Sequence, residues 1–493
     1  MRLLSPLVLT AVAVAYTAQI IPYALAKPFW HDEIYTVLLA RLPSLADTWR
    51  ASADGADLSP PLNLWLTRAA HVPTGVGLIS TRLPALLGFF VAIVSVFAVV
   101  RRRAGTAAAV TGALALFFTA GFRYAAEARG YGVMMGLCGI TIYAWTEAAA
   151  GRRRGLYVPV LCVALAASMW NHYFGVLVFV PVIAGEAVRF VQRHRLDLPM
   201  AAAIAGAVIF ALPLYPLMTV AAAQRSSFWA GRATAPGIPD IYRFLLAPML
   251  EPAFLTVIAV VVAFTGVAAI IRGRSMPGEG RRVPAHEAAA LAAGVAIPIF
   301  GLVLAWLIAG VLVPRYLLSA VVPIGIALAL MLWRANTHRS PAEALACALF
   351  IMLVAAGFVR DPPAFRHPVA DRPVLLNSLR TPVPTVVSSS LQYLQLWYYT
   401  PPELKGRMVY LADPSEALRL SGSDTIDRGY IALSRWTSVT VEPYESFVAR
   451  HSSFRVYEAG SGWLLAKLEA SGAGIEEIGR DPGGRLFQVT LSR

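Results

Sequence analysis

The chain is a series of apolar runs separated by short polar turns. A run of about 20 residues rises far enough as a helix to cross the ~30 Å hydrocarbon layer. Runs of this kind predict eleven membrane spans, near residues 3–25, 79–100, 106–122, 131–150, 156–170, 174–191, 198–220, 251–271, 287–310, 315–333 and 341–359. The fifth and sixth form one run by hydropathy alone, but Trp170-Asn171-His172-Tyr173 interrupts it. Arg2, the long apolar run after it and Ala24-Leu25-Ala26 resemble a cleavable signal peptide. The run is long for a signal core, so it reads as an uncleaved first helix.

Arginine marks every second loop. Arg101-Arg102-Arg103, Arg152-Arg153-Arg154, Arg193 with Arg195, the group Arg272, Arg274, Arg281 and Arg282, and Arg334 with Arg339 alternate with loops of different character. By the positive-inside rule these loops are cytoplasmic, which predicts a cytoplasmic N-terminus and an extracytoplasmic C-terminal segment. The other loops then share the outer side, and they hold the unusual polar residues: Asp32-Glu33, Arg123 to Arg129, Trp170 to Tyr173, 221–250 and Val313 to Tyr316.

The first outer loop, about 26–78, carries Lys27-Pro28-Phe29-Trp30-His31-Asp32-Glu33-Ile34-Tyr35. Ile34, Val37, Leu38 and Leu42 recur at helical spacing, which predicts a short amphipathic helix in the interface plane. Asp32 and Glu33 fall in its first turn, where the helix dipole favours ionised carboxylates. A second amphipathic piece follows Ser59-Pro60-Pro61, with Leu62, Trp65, Leu66 and Ala69 on one face. Ala51 to Leu58, between the two, reads as flexible.

From Arg360 the pattern changes. Strand-like and helix-like segments alternate: Thr385–Ser389, Leu391–Tyr399, Arg407–Leu411, Pro414–Leu420, Tyr430–Leu433, Pro443–Arg450, Phe454–Tyr457, Trp463–Ala470, Gly474–Ile478 and Leu486–Leu491. The expected fold is therefore a polytopic α-helical membrane domain over 1–359 and a small extracytoplasmic α/β domain over 360–493, its sheet largely parallel.

Composition agrees. The chain is 57% hydrophobic and 14% charged, against about 25% charged for soluble proteins. Its net charge of +14 sits in short Arg groups between apolar runs and not along one soluble face, which argues against nucleic-acid binding. Cys138, Cys162 and Cys347 all lie inside apolar runs and read as small core residues.

Asp32 at a membrane surface could accept a proton from a hydroxyl, or could only cap its helix. Arg123 and Arg129 could hold a phosphate; Arg123 could equally snorkel, and Arg129 could pair with Glu127. His172 and Tyr173 sit in an apolar turn, where a histidine is either a ligand contact or a satisfied core residue. Arg315-Tyr316 opens a span as a phosphate site or an interface anchor, and Gln224, Arg225, Trp229 and Arg232 suit a sugar or headgroup surface.

Five stretches carry a family resemblance over about 1–335: Phe29-Trp30-His31-Asp32-Glu33, Ser59-Pro60-Pro61-Leu62, Glu127-Ala128-Arg129-Gly130-Tyr131, His172-Tyr173-Phe174, and Arg315-Tyr316-Leu317-Leu318 leading to Pro323. The chain resembles the GT-C superfamily of membrane glycosyltransferases, particularly bacterial relatives of protein O-mannosyltransferases and of the lipid A aminoarabinose transferase. The resemblance implies a multi-pass enzyme of the bacterial cytoplasmic membrane, working at its outer face. It implies a polyprenyl-phosphate-linked sugar donor, inversion at the anomeric carbon, and a glycolipid, polysaccharide or protein acceptor. It places the catalytic residue at Asp32, with Glu33 in support. The donor phosphate falls to Arg123, Arg129, Tyr131, His172, Arg315 and Tyr316. Related transferases have Lys or His before the Pro-Pro pair, where this chain has Ser59. No cofactor is required. A divalent cation could share the phosphate charge, although no His/Asp cluster with metal-ligand spacing demands one.

Two rivals differ in kind. A secondary transporter would place ionisable residues near the midplane of broken helices. A non-catalytic cell-envelope assembly protein would explain the C-terminal domain but leave Asp32-Glu33 and the outer Arg set without a role.

Overall fold

The computed structural model describes residues 4–228, 237–252, 283–335, 365–460 and 462–492. The predicted span 341–359, and all but the first two residues of 251–271, lie outside these. Two compact units result: Met1–Leu25, Pro73–Tyr215 and Arg232–Pro363 form one, and Ala26–Val72, Pro216–Gly231 and Ala364–Arg493 the other. The first outer loop thus groups with the C-terminal residues, and the sequence boundary at 359 does not divide the two units by itself.

The first unit is helical. Five of the described helical segments are long and apolar enough to cross a membrane: Pro6–Ala26, Leu78–Phe118, Tyr173–Arg193, Leu198–Ala223 and Pro314–Trp333. A sixth appears if Ala285–Val295 and Ile297–Ile308, bent by 56°, count as one. The predicted pair 79–100 and 106–122 is present as two helices within Leu78–Ala115, separated by non-helical backbone at Gly105. There φ is +84°, a value that favours glycine, so the run breaks where only a residue without Cβ turns easily. The break predicted at Trp170–Tyr173 is present: Arg154–Asn171 ends, His172 is extended, and a tighter helix Tyr173–Val178 follows.

Helix Tyr131–Ala149 packs against Leu78–Ala115 through small residues. A Cβ on Gly132 would lie 2.1 Å from the Ala85 carbonyl oxygen, and one on Gly136 would lie 2.5 Å from that of Gly88. Close backbone approach supplies the van der Waals contact that drives helix association in lipid. Val208, Ile209, Phe210 and Leu307 are exposed, as lipid-facing side chains are.

The arginines of the marked loops are not merely solvated. Arg102 pairs with Glu147 at 3.0 Å, Arg103 with Glu287, and Arg154 with Asp197 at 3.0 Å. Arg189, 2% exposed, binds Asp197 at 3.0 Å and also Glu186. These pairs tie neighbouring helices at one end of the unit, and each buried charge has an opposite charge beside it.

In the second unit, strands β1 (Thr385–Val387), β2 (Met408–Ala412), β3 (Val441–Pro443), β4 (Ser453–Glu458), β5 (Gly474–Asp481) and β6 (Gly484–Thr490) form one sheet in the order β3-β2-β1-β4-β6-β5. β1 to β4 are parallel, and β6 runs antiparallel to both β4 and β5. Every residue of β1 and β2 is buried, as strands covered on both faces are. The core under the sheet holds Val386, Leu411, Phe447, Phe454, Trp463 and Val489.

Tyr430–Leu433, a strand position in the predicted alternation, instead ends helix Thr425–Ser434. Asp427, Tyr430 and Leu433 are buried at helical spacing, and that period decides the element. One edge strand is the short β3, which lacks alternation long enough to be read.

Candidate active site

The helix predicted after Trp30 runs from His31 to Ala40. Its start is capped by Glu33: the Trp30 N–H donates to Glu33 Oε2 at 3.4 Å. Glu33 is fully buried. Asp32, one position earlier, points elsewhere, because adjacent helical side chains diverge by about 100°. Its side chain keeps 21% of its surface, and Oδ1 lies 3.0 Å from His31 Nδ1. With an ionised Asp32 that nitrogen donates its proton to the carboxylate, and in the neutral imidazole Nε2 is then left as an acceptor. Nε2 is buried and has no hydrogen-bond partner among the described residues. The His31 ring packs between Tyr35, at 5.1 Å, and Tyr430, at 5.7 Å. The two adjacent carboxylates therefore differ in kind: one is spent on the helix start, and the other is held by an imidazole with an open face.

The rest of this loop is more ordered than its composition suggests. Ile34 and Val37, expected on an interface, are buried within the protein. A helix not predicted, Leu45–Ala53, reaches into the stretch read as flexible. Ser44 caps it, accepting from the Asp47 N–H at 3.0 Å and donating to Asp47 Oδ2 at 2.7 Å. That reciprocal Ser-x-x-Asp spacing is a helix-start signal legible in the sequence. Ser59, in the Pro-Pro turn, donates its N–H to Asp57 at 2.9 Å.

In the first unit, most of the residues predicted to hold phosphate lie together. His172 lies 4.7 Å from Tyr316 and 6.2 Å from Tyr131, measured between ring centroids. Tyr131 meets Tyr124 edge-on at 5.3 Å. Arg315 hydrogen-bonds Tyr124, whose pKa is raised by burial and pulled back by Arg315 and Arg123. Asn171 donates to the Gly130 carbonyl at 2.7 Å, which pins the turn after Arg129 to the break at His172. Arg123, on the short helix Ala120–Ala125, is exposed.

His172 is not a cation here. Burial, and then the charges of Arg129 and Arg315, push its pKa down to about 3. Its Nδ1 accepts the Phe174 N–H at 3.1 Å, so the single proton of the neutral ring sits on Nε2. The cluster therefore offers two guanidinium groups, one neutral imidazole donor and three tyrosine hydroxyls. That set suits a phosphate or a sugar hydroxyl surface. Nothing in the sequence singles out Tyr124 or Asn171 as a site residue, because neither residue type is unusual at a helix end. Of the aromatic and basic group in the loop after residue 220, Trp229 and Arg232 lie outside the described residues. Among the described residues, no group of three or more His, Cys, Asp or Glu side chains is placed to hold a metal ion.

The fold is shared with the solved structure of ArnT from Cupriavidus metallidurans, and its long apolar helices make the chain a multi-pass membrane protein. The structure of ArnT from Cupriavidus metallidurans in the apo state is similar over 97% of this chain and 96% of its own, with a TM-score of 0.59 at 13% identity. The structure of the same protein bound to undecaprenyl phosphate is similar over 98% of each chain, with a TM-score of 0.58 at 13% identity. The family model described as dolichyl-phosphate-mannose-protein mannosyltransferase matches residues 59–218. That stretch contains Ser59, Arg123, Arg129, Tyr131 and His172, and leaves Asp32, Glu33, Arg315 and Tyr316 outside it. No curated protein sequence matches the chain.

Proposed function

We propose that the chain transfers a sugar from a polyprenyl-phosphate-linked donor to an acceptor hydroxyl outside the cytoplasm. The observation that carries this reading is the division of labour at the helix start. Asp32 is the accessible carboxylate, fixed by His31, while Glu33 is buried and bonded to Trp30. The undecaprenyl phosphate bound by the similar ArnT structure supports a lipid-phosphate donor.

In this reading the acceptor oxygen attacks the anomeric carbon as the bond from that carbon to the phosphate oxygen breaks. Asp32 takes the hydroxyl proton, and the electron pair of the broken bond leaves with the polyprenyl phosphate. Attack opposite the leaving group inverts the anomeric centre. The leaving group is already a stable anion, so it needs cations and not an acid; Arg129 and Arg315 serve, with the Nε2–H of His172 as a neutral donor. The outer-face orientation rests on the alternation of Arg-rich loops.

The test is a mass comparison of surface glycolipids and glycans from cells with and without the gene. A sugar-sized mass loss on deletion, restored by the wild-type chain and not by Asp32→Asn, is the expected result. An unchanged glycan profile overturns the reading.

A further inference from the structure

The segment that carries Asp32 is gripped on both sides by the C-terminal residues of its own compact unit. Three residues before Asp32, the backbone of Phe29 is bound at both polar groups. Its N–H donates to the Tyr399 hydroxyl at 2.6 Å, and its carbonyl accepts from Gln395 Nε2 at 2.9 Å. The buried Phe29 ring meets Tyr398 edge-on at 5.9 Å. Three residues after Asp32, Tyr35 stacks on Tyr430 with centroids 6.1 Å apart and planes within 3°. Tyr430 also touches His31, the partner of the Asp32 carboxylate.

These C-terminal groups are themselves locked. Gln395, Tyr398 and Tyr399 share helix Ser390–Tyr399, and Tyr430 belongs to Thr425–Ser434. The Tyr430 hydroxyl donates to the Ser390 carbonyl at 2.6 Å and accepts the Leu394 N–H at 3.3 Å, joining the two helices. A helix of ten residues, such as His31–Ala40, has little stability of its own, so packing sets its direction. Here the packing is concentrated at positions −3 and +3 around one carboxylate.

We propose that Gln395, Tyr399 and Tyr430 are positioning residues for Asp32. They fix the direction in which its carboxylate meets the acceptor hydroxyl. The proposal rests on the reading of Asp32 as the base. A misplacement of about 1 Å can cost about 10²-fold in rate, so loosening the grip should appear in turnover before it appears in stability.

The experiment uses the full chain in detergent, with Tyr399→Phe, Gln395→Ala, the pair together, and each of these in an Asp32→Asn background. Membranes from cells lacking the gene supply donor and acceptor, and transfer is followed by the mass of the glycosylated product. Hydrogen exchange of the peptide containing Phe29 to Glu33, and thermal unfolding, are read on the same samples. The expected result is faster exchange in that peptide, turnover lowered about ten- to hundredfold with KM nearly unchanged, and no further loss once Asp32 is Asn. Should Tyr399→Phe fail to fold, Gln395→Ala leaves the aromatic packing in place and carries the test alone. Unchanged turnover in the variants, with Asp32→Asn inactive, overturns the positioning role; so does unaccelerated exchange. Full activity of Asp32→Asn overturns the base assignment, and the positioning role with it.

Discussion

Asp32→Asn separates chemistry from architecture because the structure gives the helix cap to another residue. The cap acceptor is Glu33, so Asn at position 32 leaves it untouched. Asn also keeps an oxygen where Asp32 Oδ1 accepts from His31 Nδ1 at 3.0 Å. What is lost is the charge on that hydrogen bond. Charged hydrogen bonds are worth about 1.5–3 kcal/mol and neutral ones about 1, so stability should fall by about 1 kcal/mol or less at this partly exposed site. Loss of a general base lowers a rate by about 10²–10⁴-fold, or about 3–5 kcal/mol on the barrier. The two effects differ enough to be told apart. Purified Asp32→Asn protein should bind undecaprenyl phosphate and unfold within a few degrees of wild type, yet transfer sugar at least a hundredfold more slowly. Glu33→Gln should show the opposite bias, since its carboxylate is buried and bonded to the helix start. Wild-type turnover by the Asp32→Asn protein would refute the assignment, whatever its melting temperature.

Three further expectations follow from separate parts of the molecule. A single cysteine at the exposed Ser421, in a cysteine-free background, should react with a membrane-impermeant thiol reagent on intact cells; labelling only after permeabilisation would reverse the topology. Burial pushes the Asp427 carboxyl up to about 6, against the pull of hydrogen bonds from the Asp413 N–H, Tyr410 and Trp463. A raised folded-state value means its contribution is full below about pH 4 and fades as pH rises through about 6, so wild type should lose up to about 3 kcal/mol relative to Asp427→Asn over that window. Equal pH profiles for the two melting temperatures would show that the carboxyl does not titrate as its surroundings dictate. Arg315→Gln should weaken undecaprenyl phosphate binding about tenfold or more, while Arg123→Gln, altering an exposed residue, should do less; equal losses would remove the distinction drawn between them.

Much of this was legible in order along the chain. Apolar run length located the helices, and the polar interruption at Trp170–Tyr173 marked a true break. The helix after Trp30 follows from the spacing of Ile34, Val37 and Leu38, and the turns at Arg129 and at His172, which read as separate candidates, are joined by Asn171. What the pattern could not reveal is pairing at a distance. Arg103 reads as a topology signal, yet it binds Glu287, 184 residues away. Phe29 reads as the first residue of the stretch that carries the resemblance, yet nothing there shows that both its backbone groups are held by the helix Ser390–Tyr399. Hydrophobic period reports which face a residue buries and says nothing of what it meets there. The charge state of His172 is hidden for a similar reason, since it follows from burial first, and then from Arg129 and Arg315, which come to it from different segments of sequence.

The hydrogen bond from Phe29 to Tyr399 joins residues 370 positions apart, and this orders the making of the protein in time. At about 5–20 residues per second, the ribosome completes Tyr399 roughly 20–70 s after Phe29. Throughout that interval the loop bearing Asp32 has left the first span without the partners that orient it. An unfinished chain therefore exposes a carboxylate with no set direction, and a finished one gains its grip only when helices Ser390–Tyr399 and Thr425–Ser434 have formed. Assembly of the C-terminal domain becomes the last step in building the centre. A defect in that domain's folding would then abolish the proposed transfer with every residue of its chemistry intact.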